Sequence, residues 1–205
     1  MKIQQSEFSL ESKLFDRISV LFKTPFPEAN NLDGYLDKIL PLIASESKKL
    51  EPREFYSSKD WVEVRESEDF HELVFHFFSP KPVQEVNGEE LEWEYLKSID
   101  GEAWQGRWRY VNNKIFIGDE EYTDTKVYEL AFLDNEFMIL RLLANPKKFT
   151  TENKSKYFLM TVEKLGRRLE WLDLVKYLFD KYHSLNINLY IIVILTALII
   201  AVLLS

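Results

Sequence analysis

The sequence predicts an α+β fold in which an antiparallel β-meander curls strongly or closes into a small barrel, with N-terminal helices and a C-terminal transmembrane helix. Short aromatic and β-branched runs in residues 60–165 alternate with turn-forming residues, which is typical of a meander. Apolar side chains recur at helical spacing in residues 1–50. Residues 187–205 are almost wholly apolar, as a membrane-spanning helix requires.

The composition favours a packed globular body without cysteine chemistry. Of the 205 residues, 46% are hydrophobic and 15% are aromatic, which supplies enough ring area to fill a core. The formal net charge of -8 repels phosphate backbones, so no nucleic-acid partner is expected. Cysteine is absent, which excludes disulfides, thiolate zinc sites and a cysteine nucleophile.

Two helices are predicted in the N-terminal helical segment, residues 1–50. The first covers residues 7–22 and ends before the prolines that follow it. The second begins near Leu32, and Pro41 within it is expected to kink or restart the helix. The polar stretch of residues 45–60 is interpreted as a linker to the β domain.

The antiparallel β domain is predicted over residues 60–165. Turn signals such as Asp100-Gly101 and Asn112-Asn113 separate the apolar runs at intervals of about 8–12 residues. Closing the sheet into a barrel, or curling it strongly, deals with its exposed edges, so one of these two arrangements is expected. The predicted strands lie in residues 71–78, 91–96, 103–110, 114–118, 126–133, 136–143 and 156–162.

One predicted strand carries a motif that resembles a known family. Alternation places Trp104, Gly106 and Trp108 on one face of that strand. Gly106-Arg107-Trp108, at the head of a series of hairpins, resembles the Gly-x-Trp strand of lipocalin-like domains. Residues 91–162 are similar in style to uncharacterised bacterial lipocalin-like domain proteins, although lipocalins usually carry the motif on their first strand and strands are predicted before it here. The resemblance implies a small barrel whose interior can hold a ligand.

Six aromatic residues form the candidate ligand-binding site. In a curled sheet their rings can line an apolar cup for a lipid or another small hydrophobic ligand. The same rings can instead fill the interior of a small barrel, which is the commoner arrangement. Both interpretations stay open from the sequence. The six residues are Trp93, Trp104, Trp108, Tyr110, Tyr128 and Phe132.

The sequence predicts no catalytic residue, metal site or cofactor. His71 and His76 are separated by an odd number of residues, so on a strand they point to opposite faces and share no metal. Both are expected to be ordinary surface or half-buried histidines. The acidic run of residues 118–124 lacks the ligand spacing of a calcium loop and is interpreted as a solvated hairpin tip. No phosphate-binding loop, nucleophile elbow or dinucleotide fingerprint is present.

The C-terminal segment is predicted to anchor the chain in a membrane. An amphipathic connecting helix is expected over residues 166–186, followed by the anchor in residues 187–205. Thr196 is the only polar side chain from Leu189 to Leu204, a stretch that covers roughly 24 Å as a helix. Ile187 and Asn188 extend it to about 27 Å, close to the hydrocarbon thickness of a thin bilayer. The predicted anchor residues are Leu189, Tyr190, Ile191, Ile192, Val193, Ile194, Leu195, Thr196, Ala197, Leu198, Ile199, Ile200, Ala201, Val202, Leu203 and Leu204.

The residues around the anchor predict its orientation. Arg167, Arg168 and Lys181 precede the apolar stretch, and positive residues stay on the cytoplasmic side of a membrane, so the N-terminal domain is expected in the cytoplasm. The N-terminus lacks the apolar stretch of a secretory signal, and the protein is predicted to be single-pass and tail-anchored. Ala197 and Ala201 have the spacing that lets two helices approach, which is compatible with a weak homodimer.

Two functions fit these features. The first is a membrane-tethered binding or scaffold module whose partners are the lipid bilayer and a protein or hydrophobic small ligand. The alternative is an enzyme that acts on a membrane-associated substrate with a site assembled from scattered acidic and histidine side chains. The absence of a catalytic motif favours the first. An open interior with convergent polar groups is expected for ligand binding or catalysis, and a filled interior for a surface-acting scaffold.

Truncation after Asn186 is expected to move the protein wholly into the soluble fraction, because the apolar stretch beyond it is the predicted anchor. The measurement is extraction with alkaline carbonate followed by sedimentation, with the full chain as the control. A truncated protein that still sediments with membranes would contradict the assignment of this stretch as the sole anchor.

Overall fold

The computed structural model describes residues 25–51, 54–66, 73–86, 89–119, 121, 124–144, 155–183 and 194–195. The chain divides into two compact units. The larger unit is Glu28–Val175, and the smaller unit comprises Met1–Pro27 and Lys176–Ser205. The predicted helix of residues 7–22 lies outside the described residues.

The second predicted helix is confirmed as α1, Leu32–Ile43. Its N-cap is Asn31, whose side-chain carbonyl accepts a hydrogen bond from the N–H of Gly34 at 2.8 Å. This bond satisfies one of the donors that the first turn of a helix leaves without a partner. Pro41 lies inside the helix without ending it, and a 3-10 turn, Ala44–Glu46, follows.

The β domain is a closed barrel of eight antiparallel strands, each paired with its neighbours in sequence. The strands are β1 (Trp61–Glu63), β2 (Val74–Val86), β3 (Glu89–Ile99), β4 (Glu102–Val111), β5 (Lys114–Asp119), β6 (Lys126–Leu133), β7 (Phe137–Ala144) and β8 (Tyr157–Val162). Pairing of β1 with β8 closes the barrel. All seven predicted strands are confirmed, whereas β1 has only three residues, too few for alternation to reveal it.

Two of the predicted turns have the backbone conformation that tight hairpins need. The φ angle is 49° at Asp100 and 86° at Gly101 between β3 and β4, and 52° at Asn112 and 61° at Asn113 between β4 and β5. Positive φ at both central residues is typical of the two-residue turns whose twist matches that of the paired strands. These turns fix the register of β4 against both of its neighbours.

Aromatic side chains centred on Trp108 fill one end of the barrel. The ring centroid of Trp108 lies 5.4 Å from that of Tyr56, 5.7 Å from Phe78 and 4.8 Å from Trp93. The rings meet edge to face or tilted, as aromatic pairs prefer. The indole N–H of Trp108 donates to the carbonyl of Ser79 at 3.2 Å. We call Tyr56, Trp61, Phe78, Trp93 and Trp108 the aromatic plug; all five are buried.

Residues 45–60, interpreted from the sequence as a linker, contribute to this end of the barrel. The segment contains a short helix, α2 (Glu54–Ser57). Leu50 and Tyr56 are buried in the same apolar cluster as the barrel interior, and the carbonyl of Tyr56 accepts a hydrogen bond from the indole of Trp61 at 2.8 Å. Two apolar side chains in a polar stretch carry no periodic signal, so the sequence pattern does not show this role.

Helix α1 covers the outside of the barrel at β8. The carboxylate of Asp33 accepts hydrogen bonds from the backbone N–H groups of Lys156 at 2.7 Å and Tyr157 at 3.1 Å. The carboxylate of Asp37 accepts from the Tyr157 hydroxyl at 2.7 Å. Leu159, on the outer face of β8, is buried, as is the apolar face of α1. The helix and the barrel therefore share a second core outside the interior.

Two helical segments follow the barrel. The first is a single turn, α3 (Glu163–Gly166), and the second, α4, covers residues 171–183. In the smaller unit, Phe179 of α4 is buried, with its ring centroid 5.6 Å from that of Phe26 and 4.5 Å from that of His183.

The predicted membrane anchor falls almost entirely outside the described residues. Only Ile194 and Leu195 of it are described, and both are helical and exposed. No helix among the described residues combines the length and the apolar character needed to cross a bilayer. The anchor therefore stays a prediction from the sequence.

Replacement of Trp108 with Ala is expected to lower the free energy of unfolding by about 3–5 kcal/mol, because it removes the ring at the centre of the plug. Arg107→Ala is the matched control on the same strand. The Arg107 side chain is 31% exposed and pairs with Glu92, so its loss is expected to lower that free energy by about 1 kcal/mol or less. Urea denaturation of the chain truncated after Asn186 measures both. Equal, small losses would mean that the interior face of β4 is misassigned.

Candidate functional site

The end of the barrel opposite the plug is open and contains a cavity of about 560 Å³, which we call the cup. It lies where β3, β5 and β7 end and where β4, β6 and β8 begin. Trp104, Ile117, Leu142 and Phe158 give it apolar walls. Its volume falls within the range of about 300–1,000 Å³ that is usual for small-molecule sites.

Gly106 marks a point of close approach in the wall of the cup. A Cβ atom at this position would lie 2.3 Å from the carbonyl oxygen of Gly118 and 3.2 Å from Cδ1 of Tyr95. Tyr95 is paired with Gly106 across β3 and β4, so its ring lies against bare backbone. Only glycine fits here, which gives the first residue of the Gly-x-Trp motif a local steric reason.

Three side chains from three neighbouring strands form a hydrogen-bonded network at the floor of the cup. Nε2 of His76 on β2 lies 2.9 Å from Oε2 of Glu63 on β1, and Nδ1 lies 2.5 Å from the hydroxyl of Tyr95 on β3. His76 is 2% exposed, and the Phe158 ring packs edge-on against the imidazole with centroids 4.9 Å apart. We call these residues the Glu63-His76-Tyr95 network.

The surroundings of the network set its protonation. Burial lowers the pKa of His76, although the hydrogen bond to Glu63 acts in the other direction, so the imidazole is neutral at neutral pH. Burial acts to raise the pKa of Glu63, but the interaction with His76, with smaller contributions from Lys97 and Arg65, outweighs it, and the pKa is lowered. A neutral imidazole still donates its Nε2 hydrogen to an ionised carboxylate. Glu63 is therefore the charged member of the network.

Tyr128 on β6 presents a second hydroxyl to the cup. The residue is 6% exposed and lines the cavity, and its hydroxyl makes no hydrogen bond within the part of the chain that the structure describes. Its ring lies against Phe158 with centroids 5.7 Å apart. Burial and the nearby charge of Glu63 raise the pKa of Tyr128. The hydroxyl therefore keeps its proton and faces the space where a ligand can lie.

Four charged side chains stand around the mouth of the cup. They are Lys97, Lys126, Asp119 and Asp124. Among the described residues, neither lysine makes a hydrogen bond or an ion pair, whereas both aspartates have contacts of their own. The two positive and two negative charges balance, so the carboxylate of Glu63 gives the lining a net negative charge.

The structure places four of the six candidate aromatic residues in the plug or the cup, and a fifth against the interior cluster. Trp93 and Trp108 belong to the plug. Trp104, which is 46% exposed, and Tyr128 line the cup. Tyr110 is partly buried against the interior cluster. The barrel interior is thus filled at one end and open at the other, so each of the two sequence interpretations describes one half of it.

The sixth candidate, Phe132, lies elsewhere. It is fully buried, but it is not part of the interior cluster, which contains Leu133 instead. The pairing of β6 with β7 shifts register between Leu130 and Phe132, and such an irregularity reverses which side chains face inward. Simple alternation along the sequence cannot show this shift.

The expectation that His76 is a surface or half-buried residue is wrong, because the residue is buried in a network that the sequence pattern does not reveal. One signal was available: His76 alternates with Val74 and Phe78 on the inward face of an apolar strand. A buried polar side chain at such a position requires a partner. The partners, Glu63 and Tyr95, come from other strands, and no local pattern identifies them.

A metal centre finds no support in the described part of the chain. Among those residues, no group of three His, Asp or Glu side chains is placed to hold a metal ion. His71 lies outside the described residues, as does part of the acidic run of residues 118–124.

A second cavity, of about 510 Å³, lies beside the N-terminus of α1 and shares four lining residues with the cup: Glu63, Ser155, Tyr157 and Phe158. Its other carboxylates include Asp33, which is engaged by the backbone at the start of β8. The cup, by contrast, is lined by the buried Tyr128, whose hydroxyl has no protein partner among the described residues. The cup is therefore the candidate site.

The strand topology and the cup together define the type of barrel that this chain forms. The chain forms a closed, eight-stranded antiparallel barrel with a plugged end and an open end, which is consistent with a lipocalin-like barrel. Comparisons with known protein families, with curated proteins and with solved structures give no match to this chain. Membership of the uncharacterised bacterial group suggested by the Gly-x-Trp motif stays a prediction.

Acid is expected to destabilise the fold through His76. The pKa of His76 is lowered in the folded protein, mainly by burial, while Glu63, Lys97 and Lys126 act on it as neighbouring charges. The unfolded chain therefore binds more protons as the pH falls below about 6.5, and the free energy of unfolding decreases there.

Urea denaturation at about pH 7.5 and about pH 5.5 measures this loss. His76→Gln removes the titrating group, so the difference between the two pH values is expected to shrink in that variant. A variant with the same pH dependence as the unsubstituted chain would show that His76 is not the source.

Proposed function

We propose that the chain is a binding module for a small amphipathic molecule that occupies the cup. The observation that carries this proposal is an open cavity of about 560 Å³ with aromatic walls and a buried, hydrogen-bonded polar floor. Unfilled space in a barrel lowers stability, and buried polar groups are tolerated only where they bond to one another. A scaffold that used only its outer surface would have no need of either feature.

The lining of the cup favours an amphipathic ligand over a purely apolar one. The rings of Trp104 and Phe158 and the side chain of Leu142 offer an apolar surface to a ring or a short hydrocarbon chain. The hydroxyl of Tyr128 and the network that includes Tyr95 offer hydrogen bonds at the floor. Apolar walls with a few placed polar groups are typical of small-molecule sites.

Binding is favoured over catalysis by the geometry of the network. Both ring nitrogens of His76 are already engaged, one by Glu63 and one by Tyr95, so neither is free to take a proton from a ligand. Burial also raises the pKa of Tyr95, which keeps its hydroxyl protonated. These contacts support a receptor for a small molecule rather than an enzyme acting on a membrane-associated substrate.

We also propose that residues 187–205 hold this module at a membrane, with the barrel on the cytoplasmic side. The apolar composition of the segment and the positive residues before it support the proposal. Confinement near a bilayer raises the local concentration of amphipathic molecules that partition there. The lipid bilayer is then one partner of the protein and the cup ligand is another.

Trp104→Ala is expected to weaken binding of the neutral probe 2-naphthol by about 10-fold, because the Trp104 ring forms part of the cup wall. Leu143→Ala is the matched control: Leu143 is 43% exposed and does not line the cup. Calorimetric titration of the full chain in a neutral detergent, with empty micelles subtracted, measures both affinities.

The control variant is expected to bind the probe as the unsubstituted chain does. No saturable binding of 2-naphthol, or equal losses in the two variants, would contradict a ligand site in the cup.

A further inference from the structure

We propose that the ligand of the cup buries a protonated amine at the floor, carried on an aromatic or apolar body. The inference rests on the proposed ligand-binding function and names the class of ligand that this site takes. Two independent observations lead to it. The first is the polarity of the Glu63-His76-Tyr95 network, and the second is the hydroxyl of Tyr128, which faces the same space and bonds to no described residue.

The hydrogen bonds of the network run in one direction. The carboxylate of Glu63 can only accept, so the hydrogen on His76 is at Nε2. Nδ1 of the neutral imidazole then accepts, and the hydroxyl hydrogen of Tyr95 points to it. What Tyr95 has left for a ligand is the lone pairs of its oxygen. The second oxygen of Glu63 is likewise an acceptor. The network as a whole therefore favours a ligand that donates hydrogen bonds.

The hydroxyl of Tyr128 completes this arrangement. It lies in the lining of the cup on the strand opposite the network and has no hydrogen-bond partner within the described residues. A hydroxyl can accept as well as donate, so it can take one hydrogen of an ammonium group whose other hydrogens reach Tyr95 and Glu63. An ammonium group has three donors and no acceptor, which matches this set of oxygens.

Charge and ring surface favour the cation further. Glu63 makes the lining net negative, and its charge is felt at both tyrosines, because it contributes to the raised pKa values of Tyr95 and Tyr128. The rings of Tyr95, Tyr128 and Phe158 surround the same volume. Aromatic faces attract organic cations, and the attraction strengthens when the cation is removed from water.

A carboxylic acid is the opposing candidate, because Lys97 and Lys126 stand at the mouth without ion-pair partners among the described residues. Lys126 is exposed and Lys97 is half-buried, and ion pairs that water reaches contribute little. An acid bound to the two lysines would place its apolar part at the floor. The oxygens of Glu63, Tyr95 and Tyr128 would then receive no hydrogen bond from the ligand. The hydrogen-bond acceptors at the floor therefore favour an amine over a carboxylic acid as the ligand.

The experiment compares phenethylammonium with 3-phenylpropanoate, which share a ring and a two-carbon chain but differ in the charged group. The full chain is labelled with 5-fluorotryptophan and held in a neutral detergent. The fluorine resonance of Trp104, assigned with Trp104→Phe, reports occupancy of the cup. The amine is expected to bind with a dissociation constant about 10-fold or more below that of the acid.

Two variants tie that preference to the floor. Glu63→Gln removes the charge and is expected to bring the two dissociation constants close together. Tyr128→Phe removes only a hydroxyl that bonds to no described residue, so it leaves the fold intact, and it is expected to weaken the amine by about 5-fold or more while leaving the acid unchanged. Lys114→Gln is the control: Lys114 is exposed at the start of β5, away from the cup, and does not line it, so the amine affinity is expected to stay within about 2-fold.

The outcomes separate this inference from the function on which it rests. Preferential binding of the acid, lost in Lys97→Gln, would overturn the amine and leave the cup as a ligand site. The same holds if 2-naphthol shifts the Trp104 resonance and neither charged probe does. If none of the three compounds shifts that resonance, the ligand-binding function itself fails, and the amine with it.

Discussion

The packing of aromatic rings around Trp108 is the interaction on which the rest of the structure depends. An eight-stranded barrel has an interior just wide enough for side chains to fill, and here the fill stops partway along the axis. Tyr56, Phe78 and Trp93 contact the Trp108 ring and occupy one end. Since those large rings supply the buried area that stabilises the barrel, the other end can stay open. The cup is the space that the plug leaves.

Between the plug and the cup lies a layer where the interior changes character. Phe78 belongs to the plug, and Tyr95, whose ring centroid is 5.3 Å from it, belongs to the network. A polar layer of this kind is tolerated only when its members satisfy one another, because a lone imidazole in such a place would lower stability. His76 meets that condition with a partner on each nitrogen. The aromatic plug thus packs against the side of the polar floor that faces away from the cup.

Local sequence patterns predict much of this fold. The features that they do not predict depend on pairing between strands that are distant in sequence. Alternation around Trp108 and the turn at Asn112 depend on neighbours in sequence, so the strands and the inward face of β4 were predictable. The position of Phe132 outside the interior was not predictable, because a single register shift reverses the alternation of side chains along β6. The hydrogen bond between His76 and Glu63 joins two strands, and the sequence of neither strand predicts that its side chain contacts the other. The site is therefore harder to predict than the barrel, since it consists of contacts between strands.

The brevity of β1 has a consequence for how the protein matures. Its three residues supply Trp61 to the plug and Glu63 to the floor, and they close the barrel against β8. Glu63 pairs with Met160, about a hundred residues later in the chain, and contacts so distant in sequence form late in folding. A nascent chain cannot close the barrel until β8 has been made. Glu63 of β1 and Phe158 of β8 both line the cup, so a molecule bound there would contact both sides of this seam and would stabilise the closed barrel.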